Sequence, residues 1–436
     1  MLTTLRLAVL LLGLAAGLTL RAAPLDIKIT QGMEEALPIA VIPFGWTGPV
    51  ESLPLDMHVT IANDLARSGR FRPMAVADMP QKPATFQDIK FSDWRLLGME
   101  NIVIGNLKPL QNGGFDIEFR LIDVYKGTQI AGFRIPSSRN QLRRTAHRIS
   151  DIIFEKLTGI RGAFDTRIAY ITVKKLPAGG KQYTLQISDA DGFNPQILLE
   201  SGEPLLSPAW SPDGNKLAYV SFEGKNSTVY IQDIASGKRD RIAANPGINS
   251  APAWSPDGTR LALTLSKDGN PEIYILHLAS GTLQRLTNNP AIDTEPNWSP
   301  DGSRLIFTSD RGGGPQIYEI SALGGPQKRL TYEGPYNARP RYSPNGKFIT
   351  MVNGNNGNYR IALMDLHNGY VDILTRSRLD ESPSFSPNGA MIIYATTGPH
   401  GSELAAVSAD GRVHQRLALQ DGEVREPAWG PFQSSP

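Results

Sequence analysis

Acid–base and metal chemistry in this chain could come from six histidines, His58, His147, His277, His367, His400 and His414, and there is no cysteine. The histidines are scattered without metal-ligand spacing, and His277 alternates with Tyr274 and Leu276 as a strand residue would. The sequence holds no G-x-S-x-G turn, no Gly-Lys-Ser/Thr phosphate loop and no H-E-x-x-H helix. Gly312-Gly-Gly314 lies between strand-like segments with no helix after it to cradle a phosphate. Asp213, Asp257 and Asp301 recur at a fixed interval and resemble metal carboxylates, but each sits in Ser-Pro-Asp-Gly, where a turn explains it. Asn345 and Asn388 take the same place in two further copies, which a turn tolerates and a charge-dependent site would not. A hydrolytic pair acting on a sugar or peptide would have to come from Asp293, Glu295, Asp380 and Glu381. No catalytic set, cofactor site or metal site is expected.

What these residues sit on is a repeat. Pro208-Ala-Trp210-Ser-Pro-Asp-Gly214 recurs from Pro252, Pro296, Pro340 and Pro383, and a shortened copy runs from Pro427 to Pro431. The aromatic residues Trp210, Trp254, Trp298, Tyr342, Phe385 and Trp429 follow one another at steps of 44, 44, 44, 43 and 44 residues. Each turn precedes an alternating strand, such as Lys216–Ser221, then a second strand, a short turn and a third. Four short strands per unit is a propeller blade. The last copy supplies one strand only, and residues 164–200 supply the three it lacks. The ring therefore closes by pairing the N- and C-terminal strands, giving an all-β six-bladed β-propeller with no open edge. One aromatic residue per blade is expected to pack between blades.

Residues 23–162 lack this period and read as an α/β domain, with residues 163–436 as the propeller. Ile39–Phe44 is an apolar, buried strand, and Leu55–Ser68 carries Met57, Ile61 and Leu65 on one helical face. Strands are expected at Ile102–Leu107, Phe115–Val124 and Gln129–Ile135, then a helix over Arg139–Leu157 ending before Gly159.

Residues 1–22 have the charged, apolar and small-residue order of an export signal, with cleavage near Ala22. The apolar run Leu7–Leu20 is short for a membrane span. Removing the segment takes Arg6 and Arg21, so 44 basic residues become 42, level with the 42 acidic ones. Such a balance leaves no electrostatic footprint for nucleic acid or anionic lipid.

A propeller without chemistry binds through its channel mouth. Residues just ahead of each repeated proline should ring one end of the channel: Asn249, Ser250 and Ala251; Asp293, Thr294 and Glu295; Asn337, Ala338 and Arg339; Asp380, Glu381 and Ser382; Val424, Arg425 and Glu426. This polar mixture suits a protein partner.

The export signal, the α/β domain with Ile39-Ala-Val-Ile-Pro-Phe44 and the six Pro-x-Trp-Ser-Pro-Asp-Gly units together resemble the TolB family. Similar repeats occur in propellers joined to prolyl-oligopeptidase-type hydrolases, but with the sequence ending at Pro436 no catalytic domain is expected. The resemblance implies a periplasmic, monomeric component of the Tol-Pal system that binds the lipoprotein Pal at the propeller mouth. It implies a second partner, TolA, engaged by the polar segment Ala23–Glu34, here Ala23, Pro24, Leu25, Asp26, Ile27, Lys28, Ile29 and Thr30 onward. Some members are also exploited by group A colicins. By position, Ile248, Ala251 and Thr294 fall on the loops that contact Pal. The implied role is outer-membrane invagination during cell division and outer-membrane integrity.

Overall fold

The computed structural model describes residues 26–31, 36–48, 55–398, 401–418 and 422–433. The expected export signal and Ala23, Pro24 and Leu25 lie outside these residues.

The N-terminal domain is a mixed sheet with helices. Leu37–Val41 runs parallel to Phe71–Pro73 on one side and to Asn101–Pro109 on the other. Phe115–Asp123 and Thr128–Ser137 continue the sheet antiparallel. Helix α1 (Met57–Arg67) buries Met57, Ile61 and Leu65, one turn apart, as the spacing requires. After the short helix α2 (Phe91–Leu96), α3 (Leu142–Thr158) buries Leu142, Ala146, Ile149 and Ile153 against the same core. It stops at Gly159, whose φ of 75° is the left-handed cap glycine supplies without strain. A second apolar cluster, centred on Trp94, fills the opposite face of the sheet.

The propeller has six four-stranded sheets, one carrying an added strand. The first blade pairs the C-terminal strand Glu423–Trp429 with Arg167–Lys175, so chain ends close the ring as the repeat predicts. Blades two to five are continuous stretches of chain. The sixth runs from Asp380–Phe385 to His414–Ala418 and gains a fifth strand, Asp26–Gln31, antiparallel to His414–Ala418.

The repeated motif has a common bonding pattern. In each turn the Ser hydroxyl accepts the N–H five residues on, from Lys216, Arg260, Arg304, Phe348 or Met391, at 2.9–3.0 Å. Asp213, Asp257 and Asp301 accept the N–H two residues on at 3.0 Å, and Asn345 and Asn388 do the same. The carboxylates are therefore turn residues. The indole N–H of Trp210, Trp254 and Trp298 donates to the carbonyls of Ala428, Ala209 and Ala253 on the preceding blade. Apolar contact and one hydrogen bond thus join each of these pairs of blades.

Candidate functional site

The inner strands begin at the positions singled out ahead of each proline, and a β-bulge interrupts each one there. Six non-glycine residues at these bulges, Ser207, Ala251, Glu295, Arg339, Ser382 and Glu426, all have φ between 48° and 58°. Such left-handed backbone costs of order 1 kcal/mol or more per residue and is held only by surrounding structure. Repetition in every blade makes it a feature of the mouth. These six residues line one end of a central cavity of about 400 Å³.

Within the ring, charges are clamped together. Arg339 Nε lies 2.9 Å from Glu295 Oε1 and its Nη1 3.1 Å from Glu426 Oε1, with Ser382 Oγ also accepting from Nη1. Glu295 further accepts from Thr308 Oγ1 and from the backbone N–H of Arg339, each at 2.9 Å. Burial by itself would raise the Glu426 pKa, but attraction and hydrogen bonding from Arg339, together with the Ser207 N–H and Arg341, hold the carboxyl below its ordinary value.

Two positions earlier the side chains turn inward. Asn249, Asp293, Asn337 and Asp380 are all buried. Asn249 Nδ2 donates to the carbonyls of Ser227 and Asn245, and Asn337 Nδ2 to Gln316 Oε1 and the carbonyl of Glu333. Both carboxylate oxygens of Asp293 accept from Arg311 Nη2, at 2.7 and 2.6 Å. Asp380 accepts from Thr375 Oγ1. Ala338 and Val424 are buried too. These side chains of the expected ring hold the loops in place and do not face outward. For the equivalent residues Asn249, Asp293, Asn337, Asp380 and Val424 the reason is the strand pleat, which sends alternate residues to opposite sides. Ser250, Thr294 and Glu381 are at least partly accessible, and Thr294 Oγ1 meets Thr264 Oγ1 at 3.4 Å.

Immediately ahead of the buried Asn and Asp positions the surface is apolar. Ile248 and Ile292 are 46% and 49% exposed and Leu379 is 39% exposed; Tyr336, partly exposed, packs edge-on against Tyr359 at 5.2 Å. These four residues occupy one equivalent place on four consecutive blades. Of this arc only Ile248 was expected at the rim; Ile292, Tyr336 and Leu379 were missed, although their repeat spacing was visible. The mouth is therefore an apolar arc outside a clamped ring of charge.

Of the segment expected to engage a second partner, Asp26, Ile27, Lys28, Ile29 and Thr30 lie in the added strand of the sixth blade, with Ile27 opposite Leu417 and Lys28 opposite Arg416. The alternation Asp-Ile-Lys-Ile-Thr-Gln was the available signal for that strand.

Comparison with known proteins supplies the context. Residues 25–130 match the family described as TolB amino-terminal domain, and residues 154–433 the TolB beta propeller domain. A "Tol-Pal system protein TolB" of Thioalkalivibrio sulfidiphilus is 64% identical over 411 residues, 94% of each chain. One from Nitrosococcus oceani is 61% identical over 409 residues, again 94% of each chain. The crystal structure of TolB from Acinetobacter baumannii superposes with a TM-score of 0.86 at 42% identity, covering 93% of this chain and all of that one.

Proposed function

Because this chain belongs to the TolB family, we propose that it is the exported, non-catalytic binding component of a Tol-Pal system, holding the lipoprotein Pal at the propeller mouth and TolA through its N-terminal segment. The observation that carries the first contact is the mouth itself. Ile248, Ile292, Tyr336 and Leu379 offer an apolar arc around a polar ring, the arrangement of an interface core beside groups that set orientation. Ala251, Thr294 and Glu381 complete the contact set, while Asn249, Asp293, Asn337 and Asp380 keep its shape.

The second contact uses a strand already on the propeller. TolA captures residues 26–31 only after they leave the ladder with His414–Ala418. The sixth blade carries both that ladder and the mouth residues Leu379, Glu381 and Ser382, so occupancy of one site biases the other. The coupling is reciprocal in free energy. Through these contacts the protein supports outer-membrane invagination during division and outer-membrane integrity, acting in the periplasm after removal of residues 1–22. Group A colicins would compete at the same mouth.

Direct binding of the soluble domain of Pal to the purified chain tests this reading. Saturable binding that changes TolA affinity is expected. No binding by folded protein contradicts the Pal contact, and equal TolA affinity with and without saturating Pal contradicts the coupling.

A further inference from the structure

Between the two domains a buried imidazole stands between carboxylates that belong to different domains. His147 on α3 places Nδ1 2.7 Å from Asp64 Oδ2 on α1 and Nε2 3.7 Å from Asp191 Oδ2 on the first blade. The side chain is 3% exposed, and among the described residues Nε2 has no hydrogen-bond partner. Ligand-type atoms of Asp64, His147 and Asp191 all lie within 4.8 Å of one another. The two carboxylates, however, face opposite nitrogens of one ring, so a single ion cannot touch all three groups. A proton satisfies the geometry: the imidazolium donates from Nδ1 to Asp64 and turns a charged N–H toward Asp191.

The surrounding charges tie the same two domains. On α1, Arg67 Nε lies 3.1 Å from Asp64 Oδ1, and its Nη1 donates to the carbonyl of Ala190 on the first blade at 3.2 Å. On the helix of His147 itself, Arg143 bonds Asp191 and lies 3.9 Å from Asp189, while Arg144 Nε lies 3.0 Å from Asp165. Arg148 and Arg167 lie near Asp165, and Asp151 accepts the N–H of Phe164 at 2.7 Å. The carbonyl of Arg67 accepts from Gln415 Nε2, on the strand that carries residues 26–31. Apolar packing does not fill this seam, since a cavity of about 380 Å³ lies along it between Arg67, Phe164, Met391 and Trp429.

We propose that His147 is a proton-operated latch between the two domains, closed while the imidazole is protonated and loosened when the proton is lost. A loosened latch frees α1 from the first blade through Arg67 and Ala190 and from the sixth through Arg67 and Gln415. The ladder holding residues 26–31 then loses its neighbour.

The direction follows from the environment. Burial alone would lower the imidazole pKa, but attraction and hydrogen bonding from Asp64, with a further contribution from Asp191, raise it above the ordinary 6.5. Asp64 is held below its ordinary 3.8 by His147 and Arg67, against the effect of burial. The contribution of a raised histidine is complete below its unfolded pKa and is lost as pH rises through the folded one. That of Asp64 is lost only as acid titrates it below 3.8. The seam titrates whether or not the mouth binds a partner.

The test is a carbon-13 histidine titration of the whole exported chain from about pH 5.5 to about pH 9, with amide exchange followed over residues 26–31 and 414–418. The His147 signal, assigned by its absence in His147→Gln, is expected to titrate above 6.5. Amide protection, corrected for intrinsic exchange, is expected to fall through that midpoint, by at most about tenfold per unit separating the folded and unfolded pKa values. In His147→Gln, protection is expected to be low and to change with pH only through the separate titration of Asp151 toward about 7. A midpoint at or below 6.5, or the same fall in the variant, overturns the latch. Should His147→Gln not fold, the remaining histidines are assigned by substitution and the wild-type midpoint alone decides.

Discussion

Arg339 and Glu426 meet with Nη1 3.1 Å from Oε1 although a whole blade, the sixth, separates their strands. The same guanidinium holds Glu295 on the neighbouring fourth blade. With Ser382 on the sixth blade also accepting from its Nη1, one side chain therefore ties four blades at the axis, where the backbone is least relaxed. Arg339→Ala leaves two carboxylates facing one another in the ring. We expect a loss of about 2–3 kcal/mol in urea unfolding, below the range of a fully buried pair because the Arg339 side chain is 32% exposed. Adding Glu426→Gln to Arg339→Ala is expected to recover part of that loss, and a purely additive double variant would contradict the clamp.

Asp151 gives a pH dependence of opposite sense to that of ordinary paired carboxylates. Burial pushes its carboxyl up to about 7, only partly countered by the N–H groups of Phe164 and Asp165. The folded state thus holds a proton that the unfolded state releases above 3.8. Stability from this group falls as pH rises from about 4 to about 7. Asp151→Asn is expected to flatten that fall and to stabilise the protein at pH 8 by ~1–3 kcal/mol. Thermal unfolding at several pH values would show it, and an unchanged pH profile would contradict the assignment.

The strand at residues 26–31 can be removed from the ladder without touching the rest of the blade. Neighbouring residues of an antiparallel strand alternate their N–H groups between the two sides, so proline at both Ile27 and Lys28 must delete one that faces His414–Ala418. The double variant is expected to keep the propeller and to lose amide protection at Gln415 to Leu417 by tenfold or more, about 1.4 kcal/mol. Unchanged protection would mean that these residues add nothing to the sixth blade.

Much of this was legible in the sequence, and for a physical reason. Trp210, Trp254 and Trp298 each pack at one equivalent place in a blade, so their spacing is the blade itself. Ser211-Pro-Asp-Gly214 and its copies are local turns whose partners lie within five residues. The direction of side chains was less legible. Asn249 and Asp293 are polar types that would suit an exposed rim, yet the pleat sends them inward to Ser227 and Arg311. His147 and Asp64 are 83 positions apart, and no spacing rule joins them until α1 and α3 pack together. Asp26–Gln31 was read only as part of a polar segment; its alternation went unread, and the edge it joins belongs to a blade nearly four hundred residues later in the chain.

The central claim is that the apolar arc at the mouth receives Pal. Calorimetric titration of the purified chain with the soluble domain of Pal from the same organism tests it most directly, alongside Ile292→Arg and Thr294→Arg. Ile292 is 49% exposed, so its substitution should leave unfolding within about 0.5 kcal/mol of wild type. The account predicts saturable binding by wild type and at least about a hundredfold weaker binding by Ile292→Arg, with Thr294→Arg also weakened. Equal binding by folded wild type and both variants would place the partner elsewhere and contradict the claim.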